Sequence, residues 1–341
     1  MNTEKLYISR CLQLARLGAY YVAPNPMVGA VLVNNNTILG EGWHEQYGSA
    51  HAEPNCIRHA EEAHPEGIDY KHSTLYVSLE PCSHYGKTPP CAELIIRKGI
   101  GRVVVGTLDP NPQVAGRGVK MMREAGIEVL VGVLEEECRL LNKRFFCLQE
   151  KHRPYVVLKW AETADGYIDR LRGDEAMRRE ARGENVGKPL VISTPLMKHL
   201  VHQQRAENMA IMVGTRTALL DNPRLLTTRW SGRNPIRITL DRHGVLPQDS
   251  KIFSPEAPTI VYRENTDWQF ILQDLAQRNI HSVLVEGGTC LLQHILDSGI
   301  YDEVHIEVGN QQIGDGVKAP HYIRTTCPTM LDTHRVYIEE R

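Results

Sequence analysis

The sequence predicts an α/β protein built from two domains. Apolar strand patterns alternate with amphipathic helical patterns along most of the 341 residues, which favours layered domains with largely parallel sheets. The length suits about two domains at roughly 100–200 residues each. A polar stretch, Gln149–Arg153 followed by Pro154, interrupts the alternation near the middle. We therefore expect one domain over residues 1–148 and a second over residues 152–341.

The first half begins with a helix from Glu4 to Gly18, because its apolar residues recur at helical spacing and a glycine ends it. The apolar run Val28–Val33 predicts a strand, and the turn Asn34–Asn36 leads into its hairpin partner Thr37–Gly42. The other predicted elements are helices over Ala52–Ala63, Ala92–Lys98 and Gly116–Ala125, and strands over Thr74–Leu79, Arg102–Gly106 and Ile127–Val133.

The second half opens with a strand, Tyr155–Lys159, and continues the alternation. Its other predicted strands cover Met209–Val213, Ile236–Leu240, Thr259–Tyr262 and Ser282–Glu286, and its helices Pro195–Arg205, Asp267–Gln277 and Thr289–Leu296. The segment Asp169–Lys188 is dense in charge and has no apolar period. It indicates a solvated surface segment or a loop over a site.

Composition excludes several classes of protein. Lys and Arg number 39 against 41 Asp and Glu, and aromatic residues make up 6%, which argues against a nucleic-acid binder with a basic groove and stacking platforms. No apolar stretch approaches the roughly 18 residues of a membrane span, and no signal peptide is visible. We expect a cytoplasmic protein that forms a homo-oligomer and binds neither nucleic acid nor membrane.

Eight cysteines are too few for a disulfide scaffold in a chain of this length. We expect most of the following six cysteines to be buried thiols: Cys11, Cys56, Cys138, Cys147, Cys290 and Cys327. Cys82 and Cys91 differ, because each follows a proline and each joins His51 at or near a predicted helix start. One imidazole and two thiolates are the ligand types that select Zn²⁺.

A three-ligand zinc predicts hydrolytic chemistry, because a catalytic zinc keeps a fourth position for water and lowers its pKa to about 7. Glu53, two residues after His51, is placed to accept the proton of that water and pass it to a leaving amine. A His-x-Glu motif followed by a Pro-Cys pair is the signature of zinc deaminases. That signature has two residues between its cysteines, whereas eight separate Cys82 from Cys91.

These motifs resemble the deaminase half of the bifunctional riboflavin-biosynthesis deaminase/reductase family, which shares the long cysteine spacing. The resemblance rests on His51–Glu53, Leu79–Cys91, Pro24–Gly29 and Asp109–Pro112. It implies a cytidine-deaminase-like three-layer αβα domain that replaces the 2-amino group of a diaminopyrimidinone ribotide with oxygen. His51, Cys82 and Cys91 would hold one Zn²⁺ and Glu53 would be catalytic. Asn25, His84 and Lys87 would hold the ring or the phosphate at the mouth of the site.

In the second half, a strand runs through Glu286 into Gly287–Gly288 and a helix, which places N–H groups where an anion can bind. Alone this is a weak signal, because the full dinucleotide motif is absent. Further segments resemble the reductase half of the same family, namely Lys159–Gly166, Arg205–Glu207, Val213–Pro223, Arg237–Asp241 and Glu286–Gly288. The resemblance implies a dihydrofolate-reductase-like α/β domain that uses NADPH to reduce the ribosyl group to ribityl.

The resemblance also assigns individual residues of the reductase. Cofactor positions fall on Thr217, Asp221 and Gly288, and substrate positions on Arg205, Leu225, Arg229 and Glu286. The two arginines suit a clamp on the 5′-phosphate, because guanidinium forks match phosphate oxygens. Proton delivery is left open between Asp221, Glu286 and Lys159.

One departure leaves alternatives open. Many family members carry Trp-Ile where this chain has Val191–Ile192, and the charged insertion before it is unusual. A deaminase with a non-catalytic reductase-like domain is therefore a second hypothesis. A nucleic-acid-editing protein and a purely structural zinc are the third and fourth. RNA binding that weakens with added salt would support the nucleic-acid-editing protein. Full deamination by Glu53→Gln would support the structural zinc.

Overall fold

The computed structural model describes residues 3–85, 89–111, 115–172 and 189–341. The chain divides into two compact units, Met1–His152 and Arg153–Arg341. The polar stretch expected to be a linker is mostly helical, because the last helix of the first unit continues to Lys151. Within the described residues, no helix has both the length and the apolar character needed to cross a membrane.

The first unit is built on a five-stranded sheet of order β2-β1-β3-β4-β5. Its strands are β1 (Gly29–Asn34), β2 (Thr37–Trp43), β3 (Thr74–Leu79), β4 (Arg102–Thr107) and β5 (Glu128–Val131). Its helices are α1 (Thr3–Arg16), α2 (Ala52–Ala63), α3 (Cys91–Lys98), α4 (Arg117–Glu124), α5 (Glu135–Leu141) and α6 (Lys143–Lys151). The sheet is mixed, since β1 pairs antiparallel with β2 and β3, while β3, β4 and β5 run parallel.

Successive residues of each strand face opposite helical layers, as the two-residue period of a strand requires. Ala30 and Leu32 of β1 pack in the core that contains α2, α3 and α4. Val31 and Val33 pack in a second core with α1 and Cys138 of α5. The first unit therefore has the three-layer αβα arrangement that the family resemblance implies.

The predicted hairpin is present between β1 and β2. Asn35 and Asn36 have φ values of 46° and 61°, and asparagine tolerates the positive φ that a two-residue hairpin turn requires. Two glycines of β2 then allow α2 to pack directly on the strand. A Cβ on Gly42 would lie 2.2 Å from the backbone nitrogen of Cys56, and one on Gly40 would lie 2.6 Å from the carbonyl oxygen of Cys56.

The second unit contains an eight-stranded sheet of order β10-β9-β8-β11-β6-β12-β15-β14 and a separate pair, β13-β7. Its strands are β6 (Tyr155–Glu162), β7 (Tyr167–Asp169), β8 (Ala210–Val213), β9 (Ile236–Leu240), β10 (Thr259–Tyr262), β11 (Ser282–Val285), β12 (Glu303–Val308), β13 (Val317–Lys318), β14 (Thr329–Leu331) and β15 (His334–Glu340). Its helices are α7 (Pro195–Glu207), α8 (Thr215–Asp221), α9 (Trp268–Gln277) and α10 (Thr289–Ser298). From β10 to β12 all neighbours are parallel, and β15 and β14 continue antiparallel.

Local signals explain why several helices begin where the sequence predicts. The Thr194 side chain accepts a hydrogen bond from the backbone nitrogen of Met197, and Pro195 occupies the first position of α7. The Asp267 side chain caps α9 by accepting from the backbone nitrogen of Phe270. The sequence patterns did not predict α5, α6, α8, β7 or the strands from β12 onward. Most of the charged segment, residues 173–188, lies outside the described residues.

Candidate functional site

Three predicted metal ligands come together at one edge of the first sheet. His51 immediately precedes α2, Cys82 follows β3, and Cys91 is the first residue of α3. The His51 Nδ1 atom lies 3.6 Å from the Cys82 Sγ atom and 3.4 Å from the Cys91 Sγ atom. Among the described residues, these three side chains form the one group with ligand atoms close enough to share a metal ion.

The spacing of these atoms fits tetrahedral zinc. With Zn–S near 2.3 Å and Zn–N near 2.0 Å, a tetrahedron places nitrogen and sulfur ligands about 3.5 Å apart. The two nitrogen–sulfur distances in this group are 3.6 and 3.4 Å. The donor set and its geometry therefore fit one Zn²⁺ with three protein ligands.

The start of α3 stabilises a thiolate at Cys82. The backbone nitrogen of Cys91 donates to the Cys82 Sγ atom at 3.3 Å, and the backbone nitrogen of Ala92 donates to the Cys82 carbonyl oxygen at 3.1 Å. Hydrogen bonds from the Cys91 thiol and from His51 lower the pKa of Cys82 to about 4 although burial opposes this. A low thiol pKa favours the deprotonated form that binds a metal.

Glu53 lies in the first turn of α2, and its residue is only 3% exposed. Burial and, to a smaller extent, the Cys82 thiolate raise the pKa of its carboxyl to about 7, although His51 opposes the shift. A carboxyl with a pKa near neutrality is suited to accept a proton and return it, as a general acid–base group must. The close packing of α2 on β2 fixes this residue beside the three ligands.

The predicted mouth residues are only partly described. Asn25 is connected to the predicted metal ligands by way of His44. The Asn25 Nδ2 atom lies 3.1 Å from the His44 Nε2 atom. His44 is buried and its ring lies edge-on to that of His51, with the centroids 5.4 Å apart. His84 is exposed, and Lys87 lies outside the described residues.

Two residues near the ligands have no distinguishing signal in the sequence. The His44 Nδ1 atom lies 2.9 Å from the carbonyl oxygen of Ala50, and burial lowers its pKa, so the ring is neutral and connects Asn25 to the segment before His51. Glu80 is buried two residues before Cys82. Its carboxylate accepts from the backbone nitrogens of three residues around the start of α4, Asp109, Gly116 and Val119. This carboxylate fixes the chain that leads to Cys82.

In the second unit, two loops at the ends of β8 and β11 form the wall of a cleft of about 900 Å³. The backbone nitrogen of Gly214 donates to the carbonyl oxygen of Gly287 at 2.9 Å. A Cβ on Gly288 would lie 3.2 Å from the Thr217 Oγ1 atom, so the absence of a side chain keeps this wall open. Gly288 also precedes α10, whose N-terminal N–H groups can face an anion.

The cleft contains the three predicted cofactor residues, Thr217, Asp221 and Gly288, together with Glu286 and Lys159. The Asp221 carboxylate pairs with Arg172, with 2.5 Å between its Oδ1 atom and the Nη2 atom. Two further arginines, Arg216 and Arg242, line the same cleft. Guanidinium groups at the wall of a cleft of this size suit a phosphorylated cofactor.

The two arginines predicted to bind the phosphate differ in their surroundings. Arg205 makes a bidentate pair with Glu286, at 2.9 and 2.6 Å, and donates to the carbonyl oxygen of Leu226. Burial opposes ionisation of Glu286, but Arg205 outweighs it and lowers the pKa of the carboxyl. Arg229 is exposed, and Leu225 is buried with a φ of 53°. These three side chains are not among the described residues that line the cleft.

Two protein-family models match the chain. The model of the cytidine and deoxycytidylate deaminase zinc-binding region matches residues 1–107. The model of the RibD C-terminal domain matches residues 154–325. Fold and site together define a two-domain enzyme, in which a zinc-binding deaminase domain precedes a reductase domain.

Curated relatives and solved structures agree over nearly the full chain. The riboflavin biosynthesis protein RibD of Aquifex aeolicus is 38% identical over 337 residues, with 92% of this chain and 89% of the relative covered. RibD of Escherichia coli is 32% identical, with 92% and 90% covered. The structure of a deaminase/reductase from Thermotoga maritima superposes with a TM-score of 0.84 at 37% identity, and the match covers 99% of this chain and 98% of that one. The structure of RibD from Acinetobacter baumannii gives a TM-score of 0.83 at 30% identity, and the match covers 98% of each chain.

The chain therefore belongs to the RibD family of riboflavin biosynthesis proteins. It is a bifunctional enzyme with a deaminase domain and a reductase domain, and the predicted fold class is confirmed for both. The match to the reductase domain gives no support to the hypothesis that the second domain is non-catalytic.

Proposed function

We propose that the two domains catalyse consecutive steps on one pyrimidine ribotide. The first hydrolyses the 2-amino group of 2,5-diamino-6-ribosylamino-4(3H)-pyrimidinone 5′-phosphate, and the second reduces the ribosyl group of the product to ribityl with NADPH. A relative of 37% identity is described as a diaminohydroxyphosphoribosylaminopyrimidine deaminase and 5-amino-6-(5-phosphoribosylamino)uracil reductase, which supports this choice of substrate. The single observation that carries the proposal is the cluster of His51, Cys82 and Cys91 beside the buried Glu53.

In the deaminase, His51, Cys82 and Cys91 would hold Zn²⁺, which supplies an activated water at neutral pH. Glu53 accepts a proton from that water through its carboxylate and returns it to the ring nitrogen. It then takes the second proton from the hydroxyl added to the ring carbon and passes it to the departing amino group, which leaves as ammonia. Asn25 is the residue we assign to hold the ring, because His44 fixes its amide beside the ligands.

In the reductase, Thr217, Asp221 and Gly288 are the residues we assign to NADPH, which supplies a hydride when bound. Glu286 is held as a carboxylate by Arg205, so it has no proton to give. Lys159 lines the same cleft, and its side chain ends in a nitrogen that can donate a proton. Lys159 is therefore our choice for delivery of the proton that accompanies reduction, and Glu286 for orientation of the sugar.

The most informative test supplies the diaminopyrimidinone ribotide to the purified enzyme with and without NADPH. Without NADPH we expect release of ammonia and a product in which oxygen replaces the amino group. With NADPH we expect the same change together with two added hydrogens, both read by mass spectrometry. An unchanged ribotide, or reduction without loss of ammonia, would contradict the proposed order of reactions.

A cytoplasmic location and a homo-oligomeric state stay predictions for this chain. Sedimentation velocity over a range of protein concentrations checks the oligomeric state, and a monomer at every concentration would contradict it. Fractionation of cells that express the protein checks the location.

A further inference from the structure

A buried carboxylate that the proposed reaction does not use lies beside the reductase cleft. Glu307 of β12 has a side chain that is 1% exposed. Its Oε1 atom lies 2.7 Å from the His334 Nδ1 atom, and its Oε2 atom accepts from the Ser193 hydroxyl at 2.7 Å. Each carboxylate oxygen therefore has its own hydrogen-bond partner, one an imidazole and the other a hydroxyl.

In the part of the chain that the structure describes, Glu307 also pairs with the ammonium of Lys159. The Lys159 Nζ atom lies 3.9 Å from the Glu307 Oε2 atom, and the Lys159 side chain is 13% exposed. The two residues share a face of the sheet because β6 and β12 are parallel neighbours, with Lys159 opposite His305 and Ala161 opposite Glu307. Because both side chains are largely buried, water and salt screen the interaction between these two groups less than they would at the surface.

The same cluster supports one wall of the cleft. Ser193, which donates to Glu307, lies in the segment 189–193, and Ile192 and Ser193 line the cleft. Gly309 packs against both sides of the cluster, since a Cβ there would lie 2.9 Å from Ile192 and 3.4 Å from the His334 ring. Glu307 thus connects the segment 189–193, which forms part of the cleft wall, to strand β12. It also connects this segment to Lys159.

We propose that Glu307, held by His334 and Ser193, is a positioning residue of the reductase that fixes the Lys159 ammonium and the segment 189–193 against the cleft. This inference rests on the proposed role of Lys159 as the proton donor. The described titratable groups that face Lys159 are Glu307 and His305 of β12, Glu286 at the end of β11, and His334 behind Glu307.

The test is the pH profile of reduction by the Glu307→Gln enzyme, measured on 5-amino-6-(5-phosphoribosylamino)uracil with NADPH. Loss of a carboxylate within about 4–6 Å lowers the pKa of an ammonium by roughly 1–3 units. The alkaline limb of kcat is therefore expected to move to lower pH by at least about 1 unit, with kcat on that limb reduced on the order of 10-fold. A change in KM alone, with the limb in place, would overturn the proposal.

Glu162→Gln is the matched control, because Glu162 is also buried but belongs to the opposite face of β6, where it accepts from the Trp160 indole nitrogen. It is expected to lower stability and to leave the alkaline limb where it is. If Glu307→Gln does not fold, Glu307→Asp keeps the charge one methylene further back. A smaller shift of the limb in the same direction is then expected, and no shift would overturn the proposal.

Lys159→Gln separates failure of this inference from failure of the proposed function. Full reductase activity of Lys159→Gln would refute proton delivery by Lys159, whatever Glu307 does. If Lys159→Gln is inactive but Glu307→Gln has the wild-type profile, only the positioning role fails. In the double variant, Glu307→Gln should add no further loss of kcat, since the two residues act as one unit.

Discussion

At the scale of single residues, the deaminase chemistry depends on one buried carboxyl. Glu53→Gln keeps the shape of the side chain and the three zinc ligands but removes the group that carries protons. We expect a full complement of zinc and a fall in ammonia release of about 10²–10⁴-fold, the usual contribution of a general acid–base group. Metal analysis together with an ammonia assay measures both quantities.

The control for this substitution is Glu62→Gln, on the same helix α2 but exposed and paired with Arg58 across one helical turn. An exposed pair of this kind contributes little to stability, so the control should release ammonia at the wild-type rate. Turnover by Glu53→Gln close to that of the control would refute the assignment of Glu53.

The two predicted phosphate arginines are expected to behave differently when each is changed to alanine. Arg205→Ala leaves the buried Glu286 carboxylate unpaired, so it should destabilise the second unit by about 3–5 kcal/mol. Arg229→Ala removes an exposed side chain, so it should change stability by less than about 0.5 kcal/mol.

If Arg229 binds the 5′-phosphate, its loss should raise the reductase KM by roughly 10–100-fold, the effect of one charge-assisted hydrogen bond. Thermal unfolding and steady-state kinetics on the two variants separate these effects. Equal loss of stability in both variants would contradict the structural difference between the two arginines.

Residue types and motif spacing were enough to predict that His51, Cys82 and Cys91 come together, because few side chains select zinc and two of these three follow prolines. The partners of the other site residues could not be predicted in this way. Arg205 pairs with Glu286, which lies 81 positions further along the chain. Asn25 contacts His44, and no sequence motif indicates this contact. Burial decided these pairings, and burial depends on the assembled sheet.

At the scale of elements, the C-terminal strand β15 is held by a carboxylate that accepts several hydrogen bonds. Glu339 accepts from the backbone nitrogens of Thr325 and Thr326 and from the Tyr322 hydroxyl. Burial opposes ionisation, but these donors outweigh it and lower the pKa of Glu339 to about 2. The bonds connect β15 to the segment before β14.

Because the folded pKa lies below the unfolded value of about 4.3, the contribution of Glu339 to stability is present above that value. It should fall as the pH drops from about 4.3 towards 2. Glu339→Gln should therefore increase hydrogen exchange in residues 322–326 at pH 6 and make that exchange less dependent on pH below 4.5. Identical exchange profiles for the variant and the wild type would contradict this role.

Patterning predicted the elements whose buried and exposed sides are distinct, and it missed those whose sides are mixed. The hairpin of β1 and β2 followed from an apolar run and a pair of asparagines. Strands β12 and β15 carry buried acidic residues, Glu307 and Glu339, among their apolar ones. Such strands do not have the alternation of a half-buried strand, because their carboxylates are satisfied only by partners elsewhere in the fold.

At the scale of the whole molecule, the two units should lose their activities separately. Cys91→Ala removes a zinc ligand and the first residue of α3, so zinc and deamination should be lost and the first unit destabilised. Reduction of the deaminated ribotide should continue near the wild-type rate, because the described residues that line the reductase cleft all belong to the second unit. Parallel loss of both activities would contradict the division of the chain into two catalytic units.

The metal centre of the first unit is tested most directly by X-ray absorption at the zinc edge on the full-length enzyme. The geometry of His51, Cys82 and Cys91 predicts one zinc per chain, with two sulfur neighbours near 2.3 Å and two lighter neighbours near 2.0 Å, one of them from water. A shell of three or four sulfurs, or zinc far below one per chain, would contradict the three-ligand site on which the proposed deamination depends.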